Sequence, residues 1–238
     1  GGKYRKWYGN IEEIINWSEE ARSYYRKSPS CRILQEYLWY KKGITWGIIA
    51  QIGFRLLPDD ATFDMQGSSV FIKDINMFNY LLGFLNTKLS LCLLNIFNTT
   101  LSFQIRDIRN LPIILSNQHK PHIDQLVEQN ISISKTDWDN FETSWDFTTH
   151  SLIKFRRPNA LWGEPKENEA QEFRDNGSIE LSYKTWEHFT ETQFNQLKSN
   201  EEELNRIFIG IYGLQDELTP EVEDRDVTIR KADLGRDI

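Results

Sequence analysis

The most constraining feature of this sequence is an apolar run at residues 76–98. Leu81, Leu82, Leu85, Leu89, Cys92, Leu93 and Ile96 recur there at roughly helical spacing, the pattern of a helix with one broad apolar face. Such a helix must be covered, either by protein or by lipid. Asn79, Asn86, Lys88 and Asn95 interrupt the run, and a mid-bilayer lysine costs roughly 2.5–3.5 kcal/mol on insertion scales. The run is therefore expected to be a buried core helix, with Cys92 acting as a small hydrophobe on its apolar face. No membrane partner is expected.

The flanking sequence differs on the two sides. Up to residue 73, short aromatic and β-branched runs alternate with turn residues: Tyr4-Arg5-Lys6-Trp7-Tyr8 before Gly9-Asn10, Glu36 to Tyr40 before Lys41-Lys42-Gly43, then Ile44-Thr45-Trp46. Phe54 to Leu57 before Pro58-Asp59-Asp60, then Thr62-Phe63-Asp64 and Ser69 to Ile72, continue the pattern. These read as strands of a mixed sheet, with a short helix near 12–17. Ser102 to Ile105 reads as a further strand and Asp107 to Pro112 as a turn. Beyond residue 117 the pattern is helical. Helices are expected at 118–130 and 136–149, the second capped near Lys135-Thr136-Asp137, and at 186–212 with Gly213 as its C-cap. Residues 156–182, with two Pro and two Gly, read as a loop excursion. The fold class is thus α+β: a sheet-bearing part at 1–117 around the 76–98 helix, then a mainly helical part at 118–238.

Eight Trp, nine Tyr and fourteen Phe exclude global disorder. Two cysteines, Cys31 and Cys92, supply neither a disulfide framework nor a closed zinc site, and no signal-like segment opens the chain, so a cytoplasmic location is expected. The chain starts at Gly1-Gly2 and stops at Asp237-Ile238 in what reads as the opening of a helix, and it is expected to be a piece of a longer protein. The net charge of −7 conceals an asymmetry. Residues 1–120 hold 15 Lys+Arg against 10 Asp+Glu, and residues 121–238 hold 13 against 25. A mildly basic part of net +5 therefore precedes an acidic part of net −12, which hints at a basic binding face.

Catalytic motifs are missing: no Gly-rich phosphate loop, no Gly-x-Ser-x-Gly elbow, no His-Glu-x-x-His helix. His119 and His122 share a helix face but lack a nearby carboxylate cluster or cysteine. Asp59-Asp60 and Asp137/Asp139 sit at a turn and a helix start, where carboxylates are usually structural. No catalytic residue and no metal is expected. Two features remain. Basic and aromatic residues interleave in Arg5-Lys6-Trp7-Tyr8, Trp39-Tyr40-Lys41-Lys42, Thr45-Trp46 and Arg55, and Arg106-Asp107-Ile108-Arg109-Asn110 precedes Leu111-Pro112-Ile113. The interleaving suits phosphate and base-edge contacts, and it equally suits a sheet with aromatics inside and lysines outside.

The run opening Leu81-Leu82-Gly83-Phe84 and the run from Asn98 to Ile113 together resemble the helix, strand and Leu-Pro turn of target-recognition domains in adenine methyltransferases. Lys41 to Trp46, Asp137-Trp138-Asp139-Asn140-Phe141 to Phe147, and Leu204-Asn205-Arg206-Ile207-Phe208 to Gly213 narrow the likeness. In this order the chain resembles, from Lys3 to Ile238, the C-terminal region of the BREX phage-defence adenine-specific DNA methyltransferases, the PglX family. The resemblance implies recognition of double-stranded DNA. It also implies that methylation is carried by an upstream domain that binds S-adenosylmethionine and holds the flipped adenine with an Asn-Pro-Pro-Tyr-type motif. No Asn-Pro-Pro occurs here, so no cofactor is expected in this chain, and the missing methyltransferase domain is an expected partner.

On this basis Arg5, Lys6, Lys41, Lys42 and Arg55 are candidate phosphate contacts, with Thr45 and Trp46 nearer the base edges. Arg106 and Arg109 either face DNA or pin their turn onto the helical part. The 186–212 helix is read as a spacer whose Glu201-Glu202-Glu203 run lies away from phosphate. The rival reading is a protein-interaction module that docks other components of a defence complex. A third, an autonomous nuclease, would need a metal-binding carboxylate cluster that the sequence does not assemble.

Overall fold

The computed structural model describes residues 3–31, 33, 35–47, 51–63, 67–98, 100, 102–156 and 179–237. Three short strands form one antiparallel sheet in the order β2-β1-β3: β1 Gly43–Gly47, β2 Arg55–Leu57 and β3 Gly67–Val70. Gly43 pairs with Leu57 and Thr45 with Arg55 on one side of β1, and Ile44 with Val70 and Gly47 with Gly67 on the other. The parallel character expected of a mixed sheet is confined to one bridge, Trp7 to Arg55. There the Trp7 N–H donates to Phe54 O and the Leu56 N–H to Trp7 O, both at 2.8 Å. The run 36–40 is not a strand: a 3-10 turn occupies Glu36–Leu38. The first helix, α1, lies at Glu19–Lys27 rather than near 12–17, because Ser18 accepts the Ala21 N–H and Glu19 and Glu20 occupy the first turn.

The apolar run folds as two helices, α2 Phe78–Leu85 and α3 Lys88–Phe97, bent by 78°. The corner has a physical cause. Asn86 leaves the helix to clasp the Phe54 backbone, its Oδ1 accepting that N–H and its Nδ2 donating to that carbonyl, both at 3.0 Å. Thr87 then caps α3 by accepting the Ser90 N–H. The bend turns Cys92 outward, so it is exposed rather than on the buried face. Among the described residues no single helix is long and apolar enough to cross a membrane.

The expected strand at 102–105 and turn at 107–112 are instead a short helix, α4 Ile105–Arg109. Its buried Asp107 accepts the Gln104 N–H and the Asn98 side-chain amide, both at 2.8 Å. The expected helices at 118–130 and 136–149 are one helix, α5 Lys120–Asp139, followed by turns and α6 Ser151–Lys154. Asp137 does not cap; its carboxylate receives Arg5 and the Arg230 N–H. The excursion expected at 156–182 falls mostly outside the described residues, and from residue 179 the chain is already helical. The long helix α7 Ile179–Tyr212 ends as expected at Gly213, φ +67°, with the Leu214 N–H bonded to Ile209 O. A last short helix, α8, covers Leu234–Asp237.

The core lies where α2 crosses α5 and α7. Gly83 permits the approach: a Cβ there would stand 2.9 Å from Val127 Cγ2 and 3.6 Å from Leu204 Cδ2. Phe208 of α7 meets Tyr80 and Phe84 edge-on at 5.3 and 5.4 Å between centroids. A buried amide pair, Asn200 donating to Asn130 at 2.9 Å, fixes the register of α5 against α7. The same apolar cluster takes in Trp7, Ile44, Trp46 and Phe54 from the sheet, so one continuous core spans residue 117.

Candidate nucleic-acid interface

Antiparallel pairing brings the lysines together at one end of the sheet. Lys41 and Lys42 lead into β1, are both exposed, and stand at the end where Ile44 pairs with Val70. Exposed Lys73 follows β3 at that same end, a cation that sequence reasoning missed and that only the strand register could have revealed. Lys42 Nζ rests 4.1 Å above the Phe78 ring, which steadies its stem while leaving the charge outside. Asp59 and Asp60, exposed after β2, border this cluster on the other side. Near the far end of β1, about 13 Å along the strand, Trp46 reaches the segment that begins α4. That helix presents Arg106 and Arg109 to solvent, Arg106 paired only loosely with Asp107 at 3.7 Å.

The other candidates turn inward. Trp46 is fully buried, donates its indole N–H to Phe103 O at 3.0 Å, and packs 5.5 Å from the Phe54 ring. Thr45 donates to Ser68 O at 3.1 Å across the β1–β3 pairing. Neither side chain is turned toward a base edge. Arg5 is buried, donating from Nη2 to Asp137 Oδ2 at 2.7 Å and Ser134 O at 3.0 Å, with its guanidinium over Trp138. Lys6 is buried against Glu201, whose other oxygen accepts the Trp7 indole N–H at 2.7 Å. Burial alone would lower the Lys6 ammonium, but Glu201 outweighs it and holds the group above the ordinary lysine value. Arg55 is buried too, donating from Nη1 to Arg5 O at 3.4 Å; burial and the Arg5 charge bring its guanidinium down to about 10.

Arg5 and Lys6 therefore tie the N-terminal segment to α5 and α7, and Arg55 of β2 reaches back to that segment, so these three cations are turned inward. Glu201, expected to lie away from phosphate, is for the same reason a core residue. Its neighbours do stay near the surface, Glu202 accepting the Val222 N–H and Glu203 pairing with Arg206.

The histidines have local partners: Ser116 Oγ lies 2.8 Å from His119 Nδ1, and His122 faces Glu203 at 3.6 Å. Among the described residues no group of three or more His, Cys, Asp or Glu side chains is placed to hold a metal. Nor does a strand there run into a helix through a glycine-rich turn, the cradle a nucleotide-type cofactor such as S-adenosylmethionine would use.

No family model matches the chain. Two proteins are similar to it along nearly its whole length. The adenine-specific methyltransferase PglX of Lacticaseibacillus casei (strain Zhang) is 41% identical over 246 residues, covering 100% of this chain and 19% of that protein. The adenine-specific methyltransferase BrxX of Escherichia coli O9:H4 (strain HS) is 29% identical over 228 residues, covering 94% of this chain and 17% of that protein. The chain thus spans less than a fifth of the length of these relatives. The resemblance read from the motifs holds: the chain is a homologue of a segment of the PglX-type adenine-specific methyltransferases.

Proposed function

We propose that this chain is the part of an adenine-specific, BREX-type phage-defence methyltransferase that recognises double-stranded DNA. Methyl transfer from S-adenosylmethionine to adenine N6 is the work of other parts of such a protein. The observation that carries the reading is the match, along the whole chain, to an adenine-specific methyltransferase of which it spans 19%. Exposed Lys41 and Lys42, and exposed Arg106 and Arg109 near the other end of β1, supply the charge. In this reading one duplex meets both pairs, while Asp59 and Asp60 turn phosphate away from the β2 side.

The test is an anisotropy titration with duplex DNA at 50 and 200 mM salt. Four phosphate contacts give a slope of about −3.6 in log affinity against log salt, roughly a 150-fold loss over that range. Lys41→Gln/Lys42→Gln removes two of them and should leave a loss of about twelvefold. Binding that is salt-insensitive, or unchanged in the double variant, would sink the proposal. It would favour the rival reading, in which the acidic helical part docks another protein of a defence complex.

A further inference from the structure

Three non-glycine residues among those described have left-handed backbone: Trp7 at φ 70°, Asn10 at φ 58° and Tyr40 at φ 56°. Bulky side chains avoid this region because Cβ crowds the following carbonyl. Two of the three have visible compensation. Trp7 is fully buried, donates to Glu201 and bridges to Arg55. Asn10 is a residue type that tolerates the conformation, and its amide donates to Lys3 O at 2.8 Å.

Tyr40 has neither. Its ring is 50% exposed, and among the described residues its hydroxyl has no hydrogen-bond partner. What holds the strain is the turn behind it. Trp39 packs edge-on against Trp17 at 4.6 Å, Arg22 lies over the Trp39 ring, and Arg26 Nε donates to Glu36 at 3.0 Å. Pinned on that side, the chain can present Tyr40 only outward, directly before the exposed pair Lys41 and Lys42. Strain without internal compensation, at an exposed ring beside a binding face, points to a role outside the fold.

We propose that Tyr40 is a base-stacking residue, its ring lying on a base face laid bare in the DNA held by Lys41 and Lys42. This rests on the DNA-recognition reading above and adds the feature of DNA that is read. Consecutive Cα atoms are about 3.8 Å apart, so lysines on the phosphates place the ring within one nucleotide step of them. An intact duplex hides its base faces in the stack. Removing an adenine from the stack for methylation uncovers the faces of its neighbours, and an aromatic ring stacks on any base without reading its edge.

The experiment compares an intact duplex with the same duplex carrying one abasic site opposite thymine, which uncovers the same faces. Wild type should prefer the abasic duplex by about five- to a hundredfold. Tyr40→Asn, which relieves the backbone and removes the ring, should abolish the preference, leave the salt slope unchanged and melt no lower than wild type. Tyr40→Phe should keep the preference. Salt-dependent binding to both duplexes without a preference, or a preference that survives Tyr40→Asn, would overturn the stacking role alone. Loss of salt-dependent binding in wild type would instead bring down the DNA reading, and this inference with it.

Discussion

Glu201 is where the fold is most open to a decisive test. Its two oxygens hold the Lys6 ammonium and the Trp7 indole N–H, and it is 3% exposed. Removing one member of a buried ion pair strands the other, at a cost of about 3–5 kcal/mol. Glu201→Gln keeps an acceptor for Trp7 and isolates the charge, so it should cost about 3 kcal/mol. Glu201→Ala also strands the indole N–H and should cost about 4–5 kcal/mol. Adding Lys6→Met to Glu201→Gln removes the stranded charge and should restore all but about 1 kcal/mol. Urea unfolding at pH 7, read as a shift of midpoint at constant slope, measures each value. Because Lys6 is held above its ordinary value, the pair's contribution is complete below the unfolded lysine pKa of about 10.4. It is lost only as pH rises through the folded value, so the wild type's pair is constant from pH 7 to pH 9. In Glu201→Gln, by contrast, burial alone lowers Lys6, and the cost of the substitution should fall as pH rises. A loss under about 1 kcal/mol for Glu201→Gln, or a double variant equal to the sum of its singles, would refute the reasoning.

Two further variants probe the packing. Gly83→Ala gains about 1 kcal/mol of helix propensity, but its Cβ would stand 2.9 Å from Val127 Cγ2 and 3.3 Å from Ile123 Cγ2. A net loss of about 1–2 kcal/mol follows; the melting temperature should fall by about 2–8 °C, and a rise would show that α5 yields freely. Arg55→Met removes a buried cation with no carboxylate partner among the described residues, so chemical unfolding should find it as stable as wild type or up to about 2 kcal/mol more stable. The guanidinium, brought down to about 10 in the fold, opposes folding while charged, so that advantage should shrink as pH rises past 10. A loss above about 2 kcal/mol would instead reveal an anion held by Arg55.

The legible parts of this fold are those decided by neighbours in the chain. The strands at 43–47 and 55–57 follow from β-branched and aromatic runs between turn residues, while β3 lies at Gly67–Val70, two residues before the run expected at 69–72. The helix α7 with its Gly213 cap follows from helical periodicity and one glycine. The misread parts depend on distant partners. Asn86 breaks the apolar run because it finds the Phe54 backbone 32 residues away. Asp137 resembles a helix start but sits inside α5, held by Arg5 from 132 residues away. The same distinction governs the candidate interface. The exposure of Lys41, Lys42, Arg106 and Arg109 agrees with their polar surroundings. Lys6 looks alike in sequence, yet Glu201, 195 residues on, draws it inside.

That pairing also changes what the charge asymmetry means. Of the 15 cations in residues 1–120, Arg5, Lys6 and Arg55 are buried, as is Asp107 among the 10 anions. Among the described residues of this part, eleven cations against eight anions remain, so the apparent surplus of +5 falls to +3. Part of the basic character of the first half therefore serves to dock it on the acidic second half, through Arg5 with Asp137 and Lys6 with Glu201. On the proposed DNA-recognition reading, a general basic surface is not what would draw the duplex. Attraction must come from local groups, Lys41 and Lys42 with Lys73 beside them, and Arg106 and Arg109 on α4. Exposed Glu187 and Glu191 of α7 repel a duplex approaching from the helical side, and Asp59 and Asp60 border the lysines after β2. Few attractive contacts inside a repulsive surround favour one docking orientation over many, since each wrong approach brings phosphate against carboxylate. Neutralising Glu187 and Glu191 should therefore strengthen binding to unrelated duplexes more than binding to the preferred one.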